Sequence, residues 1–426
     1  MAMASTPTAT DIGASGDDDP ALAALRTDVR LLARRIEGEP LIYLDSAASS
    51  LTPGRVLRAM IDYYENHRAN VHRGKHLLSE EASEAFEDAR RKVARFVNAD
   101  PAAVVFTAGA TASINLVVLG LQLTQADVVV TTSAEHHAVL LPLMGRATLR
   151  MLDVGVDGRV DPDALLALVD ERTRLVALAH ASNVTGAVHD IAEIVTRLRG
   201  QAPATRILVD AAQSVAHLPL DVDALGADFV AFSSHKLLGP TGVGVLTGKK
   251  SALDSLSVEL RGGGAVRLVD REAFHLRPLP AKLEPGTPDI AGVIGLGAAV
   301  ELLGEIGMDR VHAHGRRLAA RLWEGVRELP GALLLGPPSA ERLPLVSLAL
   351  RSSTLSADHV AMILSDTHHI MVRSGHHCCH PFFDTLSRKG LPLHSALRAS
   401  AGPYTTAGDV DAFTRALRQV LGTLVA

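Results

Sequence analysis

Val209-Asp210-Ala211-Ala212-Gln213 and Phe232-Ser233-Ser234-His235-Lys236 close two short apolar runs, with Lys236 twenty-six residues after Asp210. A pyridoxal-phosphate anchor needs an amine for a Schiff base, a carboxylate to hold the pyridine nitrogen protonated, and hydroxyl and imidazole donors for the phosphate. Lys236, Asp210, Ser233 and His235 supply these groups. Each alone has an ordinary reading, since a lysine after a strand is a solvated strand end and an aspartate there caps a helix. Together they point to pyridoxal 5'-phosphate.

Outward from this pair, short β-branched runs (Ala103–Phe106, Val128–Thr131, Leu175–Ala179, Ile207–Val209, Phe229–Phe232) alternate with helical or loop segments. Such alternation predicts βα units and a mainly parallel sheet, with polar groups gathered at the carboxyl ends of its strands. Before them, helices are expected over Ala21–Ile36, with Leu22, Leu25, Val29 and Leu32 on one face, and over Leu77–Asn98. In the second helix Ser79 is the expected N-cap, and Arg90, Arg91, Lys92 and Arg95 complement the macrodipole at the end. Its expected inner face is Ala82, Phe86, Ala89, Val93 and Phe96. Near Gly286-Thr287-Pro288 the pattern changes to a long helix through Leu303 and then to a region ending in a helix over Asp409–Leu424, whose apolar face is Val410, Phe413, Leu417, Val420 and Leu424. The expected organisation is a leader over 1–19, a large cofactor-binding domain over 20–300 and a small α+β domain over 301–426.

The composition narrows the function classes. Hydrophobic residues make up 47% of the 426, ample for a substantial core, and a net charge of −5 argues against nucleic acid or an anionic membrane as main partner. No uncharged apolar run is long enough to span a bilayer. The only cysteines, Cys378 and Cys379, are adjacent, so no disulfide closes a loop and a reducing, cytoplasmic setting is expected. The leader has neither the basic start nor the apolar stretch of a signal peptide.

Further polar groups follow the predicted strands. Phe106-Thr107-Ala108-Gly109-Ala110-Thr111 leads into a helix expected over Ser113–Leu121, where backbone amides and the Thr111 hydroxyl can cradle a phosphate. His136, in Ala134-Glu135-His136-His137, can stack on a pyridine ring and pass protons. Asn183 precedes Gly186, where a turn residue is the ordinary reading. In Arg373-Ser374-Gly375-His376-His377-Cys378-Cys379-His380 a zinc site lacks a second cysteine pair, whereas histidine and arginine neighbours are the surroundings that lower a thiol pKa below about 8.5.

With these segments in order, from Tyr43-Leu44-Asp45-Ser46-Ala47-Ala48-Ser49 through Asn70-Val71-His72-Arg73 and Glu284-Pro285-Gly286-Thr287 to the last helix, the chain resembles the fold-type I, class V aminotransferase-like cysteine desulfurases. Within them it resembles the SufS-like group that includes selenocysteine lyases. The resemblance implies that Lys236 carries the cofactor and shuttles the Cα proton, Asp210 pairs with the pyridinium, Gln213 touches the phenolic oxygen and His136 stacks on the ring. Thr111, Ser233 and His235 hold the phosphate, with Thr287 from the second subunit of a homodimer. Arg373 clamps the substrate carboxylate, aided by Asn183, Arg398 and His72, and Cys378 accepts sulfur. The implied reaction converts L-cysteine to L-alanine and a Cys378 persulfide, for delivery to an acceptor protein in iron-sulfur cluster or other sulfur biosynthesis. A selenocysteine lyase, another C–S lyase, or an idle sulfur-transfer scaffold are the alternatives. Departures from the family pattern are Ala108, Ala110 and Ala112 beside the phosphate loop, Cys379-His380 after the thiol, and His189.

Overall fold

A computed structural model of the chain describes residues 19–338, 342–350, 355–391 and 393–424. The expected leader falls, except for Asp19, outside the described residues, as does the side chain of Leu424.

Strands form where the sequence has apolar runs, and burial on two faces explains those runs. Val128, Val130, Val176, Leu178, Ile207, Val209, Val230 and Phe232 pack toward the helices Leu77–Phe96 and Ile290–Ile306. The intervening Val129, Leu175, Ala177, Leu208, Phe229 and Ala231 pack on the other side with Ile114, Val117 and Val139. Side chains alternate across a strand, so a sheet covered on both faces reads as an unbroken apolar run. Seven strands lie in the order Val105–Thr107, Gly244–Gly248, Phe229–Ser233, Arg206–Asp210, Thr173–Ala179, Val128–Thr132, Thr148–Leu152. Gly244–Gly248 runs antiparallel to both neighbours and the remaining pairings are parallel. The other six strands therefore share one carboxyl edge, and the α/β class expected from the sequence is the class observed.

A second sheet holds four antiparallel strands, in the order Ala332–Leu335, Leu345–Leu350, Ala396–Ser400, Arg373–Gly375. The helices Met308–Val326, Ala357–His368 and Ala407–Leu424 pack on it through Leu318, Leu322, Val360, Leu364, Phe413 and Leu417. Phe413 is fully buried in this core. Phe413→Ala is expected to cost about 3–5 kcal/mol, read as a lower denaturant midpoint at unchanged slope. Ile42–Tyr43 pairs in parallel with Ile370–Met371, so the chain before residue 50 also reaches this second unit.

Three local expectations change in the fold. The first helix covers only Pro20–Asp28, followed by a 3-10 turn over Arg30–Ala33. The Asp28 carboxylate accepts from the Arg55 amide at 2.7 Å and from the Arg58 guanidinium at 3.2 Å, a tertiary capture at the residue where the helix stops. The next long helix begins at Leu77, capped by His76, whose Nδ1 accepts from the Ser79 amide; Ser79 instead donates its hydroxyl to the Asn70 carbonyl at 2.7 Å. Arg90 does not complement the helix end. It is 3% exposed, bonded to Glu284 at 2.7 and 2.9 Å, to Glu87 at 2.9 Å and to the Val104 carbonyl, with the Phe86 and Phe106 rings against it. A buried guanidinium needs such partners, because desolvation alone would make it costly.

Candidate active site

At the shared carboxyl edge a cleft of about 270 Å³ is lined by Thr111, His136, Asn183, Asp210, Gln213, Ser233, His235, Lys236, Arg373, Cys378 and Arg398. The strand ending at Thr107 turns through Gly109 (φ 154°) into the helix Ala110–Gly120. Gly244 is required beside this turn, because an added Cβ would lie 2.4 Å from the Gly109 backbone. The Ser233 hydroxyl accepts from the Ala110 amide at 2.8 Å, which joins two strand ends into one cradle of donors at a helix N-terminus. His235 is held by the distant segment at residues 49–50, with its Nδ1 3.3 Å from the Ser49 hydroxyl and its carbonyl accepting from the Ser50 amide and hydroxyl.

Asp210 ends its strand buried, with Oδ1 accepting from the Ala212 amide at 2.9 Å. Burial pushes its carboxyl pKa up and that of Lys236 down, each opposed by the charge of the other. Lys236 thereby gains access to the neutral amine that nucleophilic chemistry requires. His136 caps the helix His137–Leu143 through Nδ1, which accepts from the Ala138 amide at 3.0 Å, so the neutral ring carries its proton on Nε2. Burial pushes its pKa down to about 4, leaving the imidazole neutral at neutral pH. Gln213 donates to the Ala47 carbonyl at 2.8 Å from the wall of the same cleft.

The two adjacent thiols face different surroundings. His377 (φ 50°) and Cys378 (φ 59°) both adopt the left-handed conformation, which costs about 1–3 kcal/mol for such residues and persists only where neighbours enforce it. Neighbours do enforce it. The His376 carbonyl accepts from the Cys379 amide at 2.9 Å, the His377 carbonyl from Asn183 Nδ2 at 2.7 Å, and the Cys378 carbonyl from the His137 amide at 2.9 Å. Cys378 is thus exposed in the cleft lining, whereas Cys379 is fully buried and donates to Asn183 Oδ1 at 3.2 Å. Burial pushes the Cys379 thiol far above its usual range. Asn183 spends both ends of its amide on this loop, a role its position before a glycine turn did not announce.

Arg373 and Arg398 stand directly opposite on adjacent strands and share the carboxylate of Asp45. Asp45 escaped the sequence reading although its segment was singled out. Glu135 escaped as well. Its buried carboxyl accepts from the Thr132 hydroxyl at 2.7 Å and the Ala179 amide at 2.8 Å, tying two strand ends that carry His136 and Asn183. Burial pushes its pKa up to about 8. Its place between Ala134 and His136 at a strand end was the available signal.

His72 and Thr287 are not brought to this cleft. Both are exposed and line a different hollow of about 440 Å³. Ala108 and Ala112 line a third, with Leu116, Leu260 and Thr287. His189 is buried, its ring nitrogens 2.8 Å from the Ala179 carbonyl and 3.1 Å from that of Gly158, and it does not line the cleft. His380 stacks on His376 and His137, with centroids 4.0 and 4.9 Å apart, beside the thiol loop. Among the described residues no three histidine, cysteine or acidic side chains converge as metal ligands, and no single helix is both long and apolar enough to cross a membrane.

Comparison with known proteins gives a consistent result. The family model described as aminotransferase class-V matches residues 42–413. A protein of Streptomyces coelicolor described as a probable cysteine desulfurase is 39% identical over 411 residues, covering 93% of this chain and 96% of that one. A cysteine desulfurase of Haloferax volcanii is 39% identical over 416 residues, covering 92% and 95%. Among solved structures, the apo form of a cysteine desulfurase from Thermococcus onnurineus NA1 superposes with a TM-score of 0.87 at 35% identity, covering 94% and 98% of the two chains. The cysteine desulfurase CsdA of Escherichia coli gives 0.81 at 35% identity, covering 90% and 95%.

Proposed function

The chain belongs to the aminotransferase class-V family, among its cysteine desulfurases, and from that footing we propose that its cleft converts L-cysteine to L-alanine and retains the sulfur as a persulfide on Cys378. The observation that supports this reading is one cleft holding a lysine, a buried carboxylate, two guanidinium groups and an exposed thiol. Pyridoxal 5'-phosphate fits the donor set. The Gly109 turn, Thr111, Ser233 and His235 offer a phosphate cradle, Asp210 a carboxylate for the pyridine nitrogen, Gln213 an amide for the phenolic oxygen and His136 a neutral ring to stack. When bound, the cofactor supplies the electron sink that makes the substrate Cα–H acidic.

The remaining tasks fall to the chain's own groups. Lys236, as a neutral amine, takes the Cα proton and returns one. Arg373 and Arg398 orient the substrate carboxylate, for which a guanidinium fork is shaped. The Cys378 thiolate attacks the substrate sulfur, so that an S–S bond forms as the Cβ–S bond breaks. The released electron pair stays on the carbon fragment, Cβ takes up a proton, and alanine leaves. Quantifying alanine and sulfide released from L-cysteine by the purified protein tests the reading, and absence of alanine under reducing conditions defeats it.

Arg373→Ala is expected to weaken L-cysteine binding by about 2 kcal/mol, the low end for a broken charge pair because the side chain is 50% exposed. Titration of the cofactor absorbance with substrate measures this, and an unchanged midpoint refutes the role of Arg373. We further propose a homodimer. His72 and Thr287 lie exposed in a hollow separate from Lys236, and a second copy provides the surface on which they can serve a neighbour's cleft. The exposed Cys378 is proposed to pass its sulfur to an acceptor protein in the cytoplasm.

A further inference from the structure

The guanidinium groups beside the thiol are already engaged by a carboxylate. Arg373 and Arg398 are register partners on antiparallel strands, an arrangement in which like charges destabilise a sheet. Asp45 sits between them. Arg373 donates from Nε to both Asp45 oxygens at 3.1 Å and from Nη2 to Oδ2 at 3.0 Å, and Arg398 donates from Nη2 to Oδ1 at 3.3 Å. The Asp45 backbone is fixed by a bridge to Ser400 and by accepting from the Ala48 and Ser49 amides. Two cations and one anion leave an uncompensated positive charge, and the buried Arg398 Nε has no hydrogen-bond partner. The locus is set for one more carboxylate.

A substrate α-carboxylate has the same planar, two-oxygen geometry as the group now on Arg373. Resting on the reading of Arg373 as the carboxylate clamp, we propose that Asp45 is a built-in competitor for that clamp and sets the enzyme's affinity for its amino acid. Its carboxylate holds the Nε–Nη2 edge of Arg373 before substrate arrives, and its charge opposes the attraction the paired arginines offer an incoming anion. The product explains the value of this arrangement. L-alanine carries the same α-amino and α-carboxylate groups as L-cysteine, so an unopposed clamp would retain the product as tightly as the substrate. Binding both ground states more tightly does nothing for the chemical step. Asp45 returning to Arg373 favours release.

The test compares wild-type, Asp45→Asn and Arg373→Ala holoenzymes by calorimetric titration with L-alanine, by KM and kcat for L-cysteine, and by thermal midpoint. Asp45→Asn is expected to bind L-alanine and L-cysteine about fivefold more tightly, the ratio corresponding to loss of a partly exposed ion pair. Its thermal midpoint should fall without ligand and recover more than that of wild type when L-alanine is added. A residue that only positioned the arginines would give the opposite sign. Unchanged or weaker L-alanine binding in Asp45→Asn therefore overturns the proposal, provided Arg373→Ala weakens it. Undiminished binding in Arg373→Ala defeats the clamp reading instead. Should Asp45→Asn fail to fold, Asp45→Ser carries the same expectation and the same contrary result.

Discussion

Lys236→Ala is expected to lose covalent cofactor attachment and to lower L-cysteine turnover on the order of 10³-fold or more, the scale at which general acid–base and covalent contributions combine. The expectation follows from position as well as residue type. Lys236 lines the cleft facing a buried carboxylate, and burial pushes its pKa down toward the neutral amine. Lys282, the more buried lysine at 8% exposure, is committed to Asp254 through hydrogen bonds of 2.6 and 2.8 Å and has no such opening. Borohydride reduction followed by peptide mapping reads the result directly. A phosphopyridoxyl adduct on the peptide containing residue 236 in wild type, and none in the variant, is the expected pair. An adduct on a different lysine in wild type would remove the assignment, however inactive the variant proved to be.

Residues legible in the sequence were those whose role depends on local placement. A parallel sheet buried on both faces announces itself as successive apolar runs, and ligand groups at its carboxyl edge follow each run by a few residues. Asp210, Ser233, His235 and Lys236 obey this rule, as do His136 and Asn183, and the structure gathers all six in one cleft. Roles that depend on a distant partner were not legible. Asp45 meets Arg373 and Arg398 across 328 and 353 residues of chain, so nothing near it in sequence reveals that it lies between two cations. Arg90 looked like one of several cations at a helix end because Glu284, which makes its burial tolerable, is 194 residues away. The first helix likewise stops where a carboxylate finds partners 27 and 30 residues further on.

The same distinction between local and distant information governs the two thiols, whose adjacency in sequence conceals opposite surroundings. Cys378→Ser is expected to abolish persulfide formation and lower sulfide release on the order of 10³-fold or more, as removal of a nucleophile does. Cofactor attachment to Lys236 and the spectral response to L-cysteine should persist, because the groups holding both are untouched. Cys379→Ser is expected to keep the Cys378 persulfide. Its thiol is fully buried, donates to Asn183 Oδ1 at 3.2 Å and is held protonated by burial, whereas the thiolate is the form that attacks sulfur. A serine hydroxyl can donate to the same amide oxygen, so the pinning of the His377 carbonyl by Asn183 survives. The variant loses some thermal stability for the polar atom now buried there, about 1–3 kcal/mol if the bond is imperfect. Relay of sulfur from Cys378 to Cys379 requires the second side chain to leave the core, and the three loop carbonyls bonded to Cys379, Asn183 and His137 oppose that motion. Mass spectrometry after a single turnover separates these accounts: the added sulfur should lie on the peptide with Cys378 as its acceptor in Cys379→Ser and be absent in Cys378→Ser. Sulfur appearing on Cys379 in the Cys378→Ser protein at the wild-type rate would show that the buried thiol reaches the substrate, and the left-handed turn would then need a different purpose.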